Sequence, residues 1–112
     1  MPICLLYTNL KRSDIDVNLE EKVARCISET LNRPFEHVFV TLIAETPSFC
    51  AGSREPSMVC QVQSKEVFED PSKISGYYPK FFEILKQATN IPGNRIVLSF
   101  QHVPDAYADI GQ

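Results

Sequence analysis

No CxxC pair occurs in this sequence, and no histidine stands at metal-ligand spacing from a cysteine. The four cysteines, Cys4, Cys26, Cys50 and Cys60, are scattered singly, which argues against a zinc site and fits isolated thiols in a reducing compartment. No run of basic residues is present and the net charge is −3, which argues against a nucleic-acid partner. No apolar run matches a signal-peptide core followed by a cleavage site, and none is long enough for a membrane span. The expectation is synthesis in the cytosol, no membrane partner, no metal and no cofactor. Any appearance outside the cell would need another route.

What is present is ordinary for one soluble domain: 112 residues, 44% apolar and 22% charged, enough for a core without staples but too few for two domains. Ile3-Cys4-Leu5-Leu6-Tyr7 is a nearly continuous apolar run, suited to a strand covered on both faces. Asp16 and Asn18 are candidate N-caps for a helix whose inner stripe is Leu19, Val23, Cys26, Ile27 and Thr30/Leu31 and which ends before Pro34. Val38–Ala44 is rich in β-branched residues and predicts a second strand, and Met58–Ser64 predicts a third with partial alternation. Between them Gly52 and Pro56 shape a turn. Residues 65–76 are charged and loop-like. A second helix is predicted from about Tyr78 to Asn90, with Pro79 in its first turn and an inner stripe of Tyr78, Phe81, Phe82, Leu85 and Ala88/Thr89. Arg95–Phe100 predicts a fourth strand, and the tail to Gln112 at most a short edge strand.

The order is thus β-α-β-β-α-β, and its halves resemble each other. Residues 31–42 line up with 89–100 without gaps: Asn32 with Asn90, Pro34 with Pro92, Val38 with Ile96 and Val40 with Leu98, at a constant offset of 58 (90 − 32). Two right-handed βαβ units of this kind merge into an α+β fold, a ferredoxin-like split βαβ pair with a four-stranded mixed sheet and two helices on one face. The domain is read as residues 1–112, with pseudo-repeats of about 2–56 and 57–112. The other sheet face stays bare in so short a chain, which predicts an oligomer packing those faces together.

The first residues carry the chemistry. A small second residue such as Pro2 usually lets the initiator methionine be removed, leaving a secondary amine at the start of a strand. An α-amino group titrates near pH ~7.7–8.0 when unperturbed. Burial and a neighbouring cation both disfavour its charged form, so such a terminus can serve as a neutral base. The plain alternative is a trimmed terminus that only starts a strand.

Pro2, the duplicated βαβ, Asn32-Arg33-Pro34 after the first helix, and Gly52-Ser53-Arg54-Glu55-Pro56 before the third strand resemble the macrophage migration inhibitory factor and D-dopachrome tautomerase family. Ser64 and Asn94-Arg95 fall at matching places, and the resemblance runs from Pro2 to about Phe100. It implies the tautomerase fold, a homotrimer whose sheets wrap into a barrel, and cofactor-free keto–enol tautomerisation with the N-terminal proline as general base. The implied substrates are small aromatic 2-keto acids such as phenylpyruvate, and dopachrome-like compounds.

Carried over by position, Pro2 is the catalytic base. Arg33 replaces the family's lysine and offers a bidentate fork for a substrate carboxylate; it also fits as a cation favoured at a helix C-terminus. Ser64 and Lys65 align with a Ser-Ile pair whose isoleucine contributes backbone groups, and the usual following glycine is absent. Val97 stands for a pocket tyrosine, Ser99 for an asparagine that reaches substrate across subunits, and His37 for a tyrosine of the pocket rim. The plainer readings are a solvated loop charge for Lys65 and strand residues for Val97 and Ser99. Ser57 replaces one cysteine of the family's redox pair, so no thiol-redox activity is carried over, and Cys60 reads as a small buried hydrophobe. The tail Ala108-Asp109-Ile110-Gly111 resembles the family's closing segment without the aromatic residues that follow it. A second functional reading remains: a cytokine-like signal, released without a signal peptide, that binds a receptor such as the class II invariant chain through a fold whose pocket is vestigial.

Overall fold

The computed structural model describes residues 1–111; Gln112, the last residue of the second pseudo-repeat and of the tail, lies outside the described residues. Among the described residues the elements run β1 (Ile3–Thr8), α1 (Leu19–Leu31), β2 (Phe39–Ile43), β3 (Met58–Ser64), α2 (Pro71–Ile74), α3 (Tyr78–Thr89) and β4 (Ile96–His102). The sheet order is β2-β1-β3-β4. β1 pairs parallel with β2 and β3 parallel with β4, and the two halves meet in the antiparallel β1–β3 pair.

The offset of 58 recurs in the backbone. α1 and α3 close on Asn32 and Asn90, both left-handed with φ of 54° and 58°. Asparagine tolerates that conformation better than most residues with a Cβ. Each helix is followed by a proline in extended conformation and a single 3-10 turn, Phe35–His37 in one half and Gly93–Arg95 in the other. The next strand then begins.

Strand alternation sorts the side chains. Cys4, Leu6, Cys60, Val62, Ile96 and Leu98 join Leu19, Val23, Ile27, Phe81 and Leu85 in one buried cluster. On the opposite face the rows Phe39-Ile3-Gln63-Gln101, Thr41-Leu5-Gln61-Ser99 and Ile43-Tyr7-Val59-Val97 cross the sheet. Phe39 is 44% exposed and Val97 59% exposed on that face. β1 is therefore covered on one face only within the protomer, as a sheet with helices on a single side requires.

Two expectations need correction. Residues 65–76 are not all loop: Asp70 caps α2, its Oδ1 accepting from the Ser72 backbone N–H (3.0 Å) and hydroxyl (2.7 Å), with Pro71 in the first turn. The fold thus has a third, short helix beyond the expected two. Phe68 in the same segment is buried, packing on Phe100 (centroids 5.1 Å apart) and Tyr77 (6.2 Å). The tail, read as at most a short edge strand, forms a 3-10 turn at Asp105–Tyr107. Phe100 gathers Tyr77, Tyr78 and Phe81 as well, so these aromatics are packing residues.

Phe81 is 1% exposed at the centre of this cluster, whereas Phe82 is half-buried. Phe81→Ala is expected to lower unfolding free energy by about 3–5 kcal/mol, and Phe82→Ala by less. Urea denaturation of both variants at matched protein concentration checks the order.

Candidate active site at the N-terminus

Pro2 is buried at the head of β1, and its carbonyl accepts the Phe39 N–H at 3.0 Å. The chain start is thereby tied to the start of β2, which follows α1 by only a short connection. Ile3 pairs with Gln63 on the other side, so the same end of β1 also faces the end of β3 and the residues after it.

Arg33 is delivered by the close of α1. Once Asn32 has turned left-handed, the Arg33 N–H donates to the Ser28 carbonyl (3.1 Å) and the Ser28 hydroxyl donates back to the Arg33 carbonyl (2.6 Å). The backbone of Arg33 is pinned, and its guanidinium reaches Glu66, with Nη2 3.5 Å from Oε2. The Arg33 Nε is buried and has no hydrogen-bond partner among the described residues.

Ser64 closes β3. It is 1% exposed, its hydroxyl donates to the Lys65 carbonyl (3.2 Å), and its own carbonyl accepts the Val103 N–H (3.0 Å). Its hydroxyl is engaged in shaping the turn and is not offered to the site. Lys65 is half-buried. Across Glu66 the Val67 N–H donates to the Lys65 carbonyl (2.8 Å) while Glu66 has φ 70°, a tight turn strained for any residue other than glycine.

The charges meet at the N-terminal amine. In the structure that amine belongs to Met1, one residue outside Pro2. Its pKa is lowered from the usual 8.0, first by desolvation and then by the Arg33 and Lys65 cations, with the Glu66 carboxylate opposing them. A proton acceptor, two cations and one anion thus share the head of β1. Such a set can accept a proton from carbon while holding negative charge that develops nearby.

The structure therefore gathers Pro2, Arg33, Ser64 and Lys65. His37 is exposed in the 3-10 turn two residues before Phe39, near the start of β2. Val97 and Ser99 are not brought to Pro2 within the protomer. Both are exposed on edge strand β4 and on the opposite sheet face, level with Tyr7 and Leu5 respectively. They can serve a Pro2 site only from another copy of the chain. Glu66 was missed by sequence reasoning; the signal was a charged residue where the resemblance has glycine. Cys60 is fully buried with its Sγ 3.6 Å from that of Cys4, and contact with Cys4 together with burial pushes its thiol pKa up. Among the described residues no group of three or more His, Cys, Asp or Glu side chains is placed to hold a metal ion. None of their helices is long and apolar enough to cross a membrane.

Comparison with known proteins agrees with this architecture. The family model described as macrophage migration inhibitory factor (MIF) matches residues 1–111. D-dopachrome decarboxylase of Bos taurus is 28% identical over 100 residues, covering 89% of this chain and 85% of the relative. The macrophage migration inhibitory factor homolog of Trichinella spiralis is 27% identical over 100 residues, covering 89% and 87%. Among solved structures, macrophage migration inhibitory factor from Oncomelania hupensis superposes with TM-score 0.91 at 22% identity, covering 98% of this chain and 79% of that one. The Trichinella spiralis structure superposes with TM-score 0.87 at 23% identity, covering 98% and 95%.

Because Arg33 lowers the amine pKa, Arg33→Gln is expected to raise it. The pH dependence of N-terminal acylation rate measures this directly, and an unchanged midpoint would mean that the amine does not feel the guanidinium.

Proposed function

The chain belongs to the macrophage migration inhibitory factor family, and from that premise we propose that it is a cofactor-free keto–enol tautomerase of phenylpyruvate- or dopachrome-type substrates. Pro2 is its general base once Met1 is removed. The observation that carries this reading is the N-terminal amine beside Arg33 and Lys65, held below its usual pKa by desolvation and by those cations. With Met1 gone, the amine moves one residue inward, to the buried Pro2.

The neutral Pro2 nitrogen takes the proton from the carbon next to the carbonyl. The C–H electron pair becomes the enol double bond, and the carbonyl π pair moves onto oxygen. The Pro2 ammonium or water then protonates that oxygen; ketonisation runs the same steps backward. Arg33 binds the substrate carboxylate, and with Lys65 it stabilises charge on the developing enolate. His37 lies at the rim.

Ser99 and Val97 enter this scheme only through a homotrimer, which the bare sheet face supports: Ile3, Leu5, Tyr7, Phe39, Val59 and Val97 lie there without a helix over them, among Thr41, Gln61, Gln63, Ser99 and Gln101. A second reading, a secreted cytokine-like signal with a vestigial pocket, is favoured by Val97 and Ser99 standing where the family has a tyrosine and an asparagine. Capture of a class II invariant chain ectodomain by wild type and Pro2→Gly alike would support it.

Two measurements test the main reading. Pro2→Gly, compared with untagged wild type on phenylpyruvate, is expected to lose about 10²- to 10⁴-fold in kcat/KM, and equal negligible rates would overturn the enzyme. Light scattering in solution is expected to give three times the chain mass, and a monomer would leave Val97 and Ser99 without a role.

A further inference from the structure

Glu66 has no part in the scheme above, yet its carboxylate sits on the cation that the scheme needs. We infer that Glu66 is a specificity-determining residue: from its strained turn it holds a tethered carboxylate where a substrate carboxylate would bind Arg33, biasing the site away from 2-keto monocarboxylates and toward neutral carbonyl compounds such as their esters. The inference rests on the reading of Arg33 as the substrate-binding cation.

Three observations carry it. The Arg33–Glu66 pair bridges the close of α1 and the turn after β3, the two segments that bracket the head of β1. Glu66 is placed there by the backbone, because Val67 N–H to Lys65 carbonyl at 2.8 Å fixes a turn with φ 70° at its centre. The pair is also incomplete. At 3.5 Å it is long, and the buried Nε of Arg33 lacks an acceptor among the described residues. An incoming carboxylate that took two guanidinium N–H groups would satisfy Nε and displace Glu66. Glu66 is therefore a competitor of limited strength, not a permanent plug.

Charge acts in the same direction. Arg33 and Lys65 supply two positive charges beside the amine, and Glu66 cancels one of them. A neutral ester escapes both the competition and the lost attraction; a carboxylate meets both. The Glu66 carboxylate also raises the amine pKa against the two cations, so it couples substrate charge to the strength of the base.

The test uses 3-phenylpropanoate and its methyl ester, neither of which can tautomerise, titrated by NMR near neutral pH into wild type, Glu66→Gln, Arg33→Gln and the double variant. Glu66→Gln should bind the acid about 1.5- to fivefold more tightly, the range of an exposed ion pair, with the ester unchanged. The gain should vanish when Arg33 is also replaced. An unchanged or weaker acid affinity, equal changes for acid and ester, a gain that survives without Arg33, or no binding of either probe would each overturn the inference. Since no turnover is needed, the result stands apart from the fate of Pro2→Gly: a chain without tautomerase rate can still display the charge effect, and an active one can still lack it.

Discussion

The antiparallel pairing of β1 with β3 is the contact on which the rest depends. It joins the two βαβ halves, and its register sets Ile3 against Gln63, so the chain start lies at the end of β3 and not at its beginning. The parallel pairing with β2 sets Ile3 against Phe39 on the other side. Together these two registers put Pro2 between the close of α1 and the turn that follows β3. Arg33 arrives from one and Lys65 and Glu66 from the other, although they are far apart in sequence. A slip of one residue would flip Pro2, Cys4, Leu6 and Thr8 from the helix-covered face to the bare one. Burial of Cys4, Leu6 and Thr8 at 0% exposure therefore guards the position of the amine.

The site is a balance of opposed electrostatic effects on one group. Desolvation and two cations favour the neutral amine, and one carboxylate favours the charged one. Because Arg33 and Glu66 have side-chain exposures of 31% and 63%, water screens their pair, and its contribution to stability is at most about 1 kcal/mol. The pair matters for what can bind there more than for whether the chain folds.

The duplication made most of the architecture legible, because the same turn chemistry appears twice. Asn32 and Asn90 each close a helix, and Pro34 and Pro92 each open the extended link to a 3-10 turn. β3 and the start of α3 fall where alternation and Pro79 put them. α2 was missed because four residues cannot display helical periodicity, although Asp70-Pro71-Ser72 contains its cap and first turn. The position of Arg33 was readable from the helix end. The partnership with Glu66 was not, since it depends on long-range register and on a backbone angle that residue identity argues against. For Val97 and Ser99 the resemblance supplied a role that parity along β4 denies within the protomer: both alternate with the buried Ile96 and Leu98.

The strain at Glu66 has a direction of cause. A non-glycine residue at positive φ costs on the order of 1–3 kcal/mol, more than an exposed ion pair returns. The salt bridge therefore cannot be what holds the turn. Its flanks hold it. Ser64 is buried and bonded to Val103 on one side, and Phe68 is buried against Tyr77 and Phe100 on the other. Between those anchors the chain has three residues in which to reverse, and the middle one is driven left-handed. Glycine would meet that demand without strain, yet this sequence has glutamate there. The backbone disfavours glutamate here and the ion pair does not repay that cost, so Glu66 adds nothing to stability; what its carboxylate contacts is Arg33, the cation that the proposed chemistry uses.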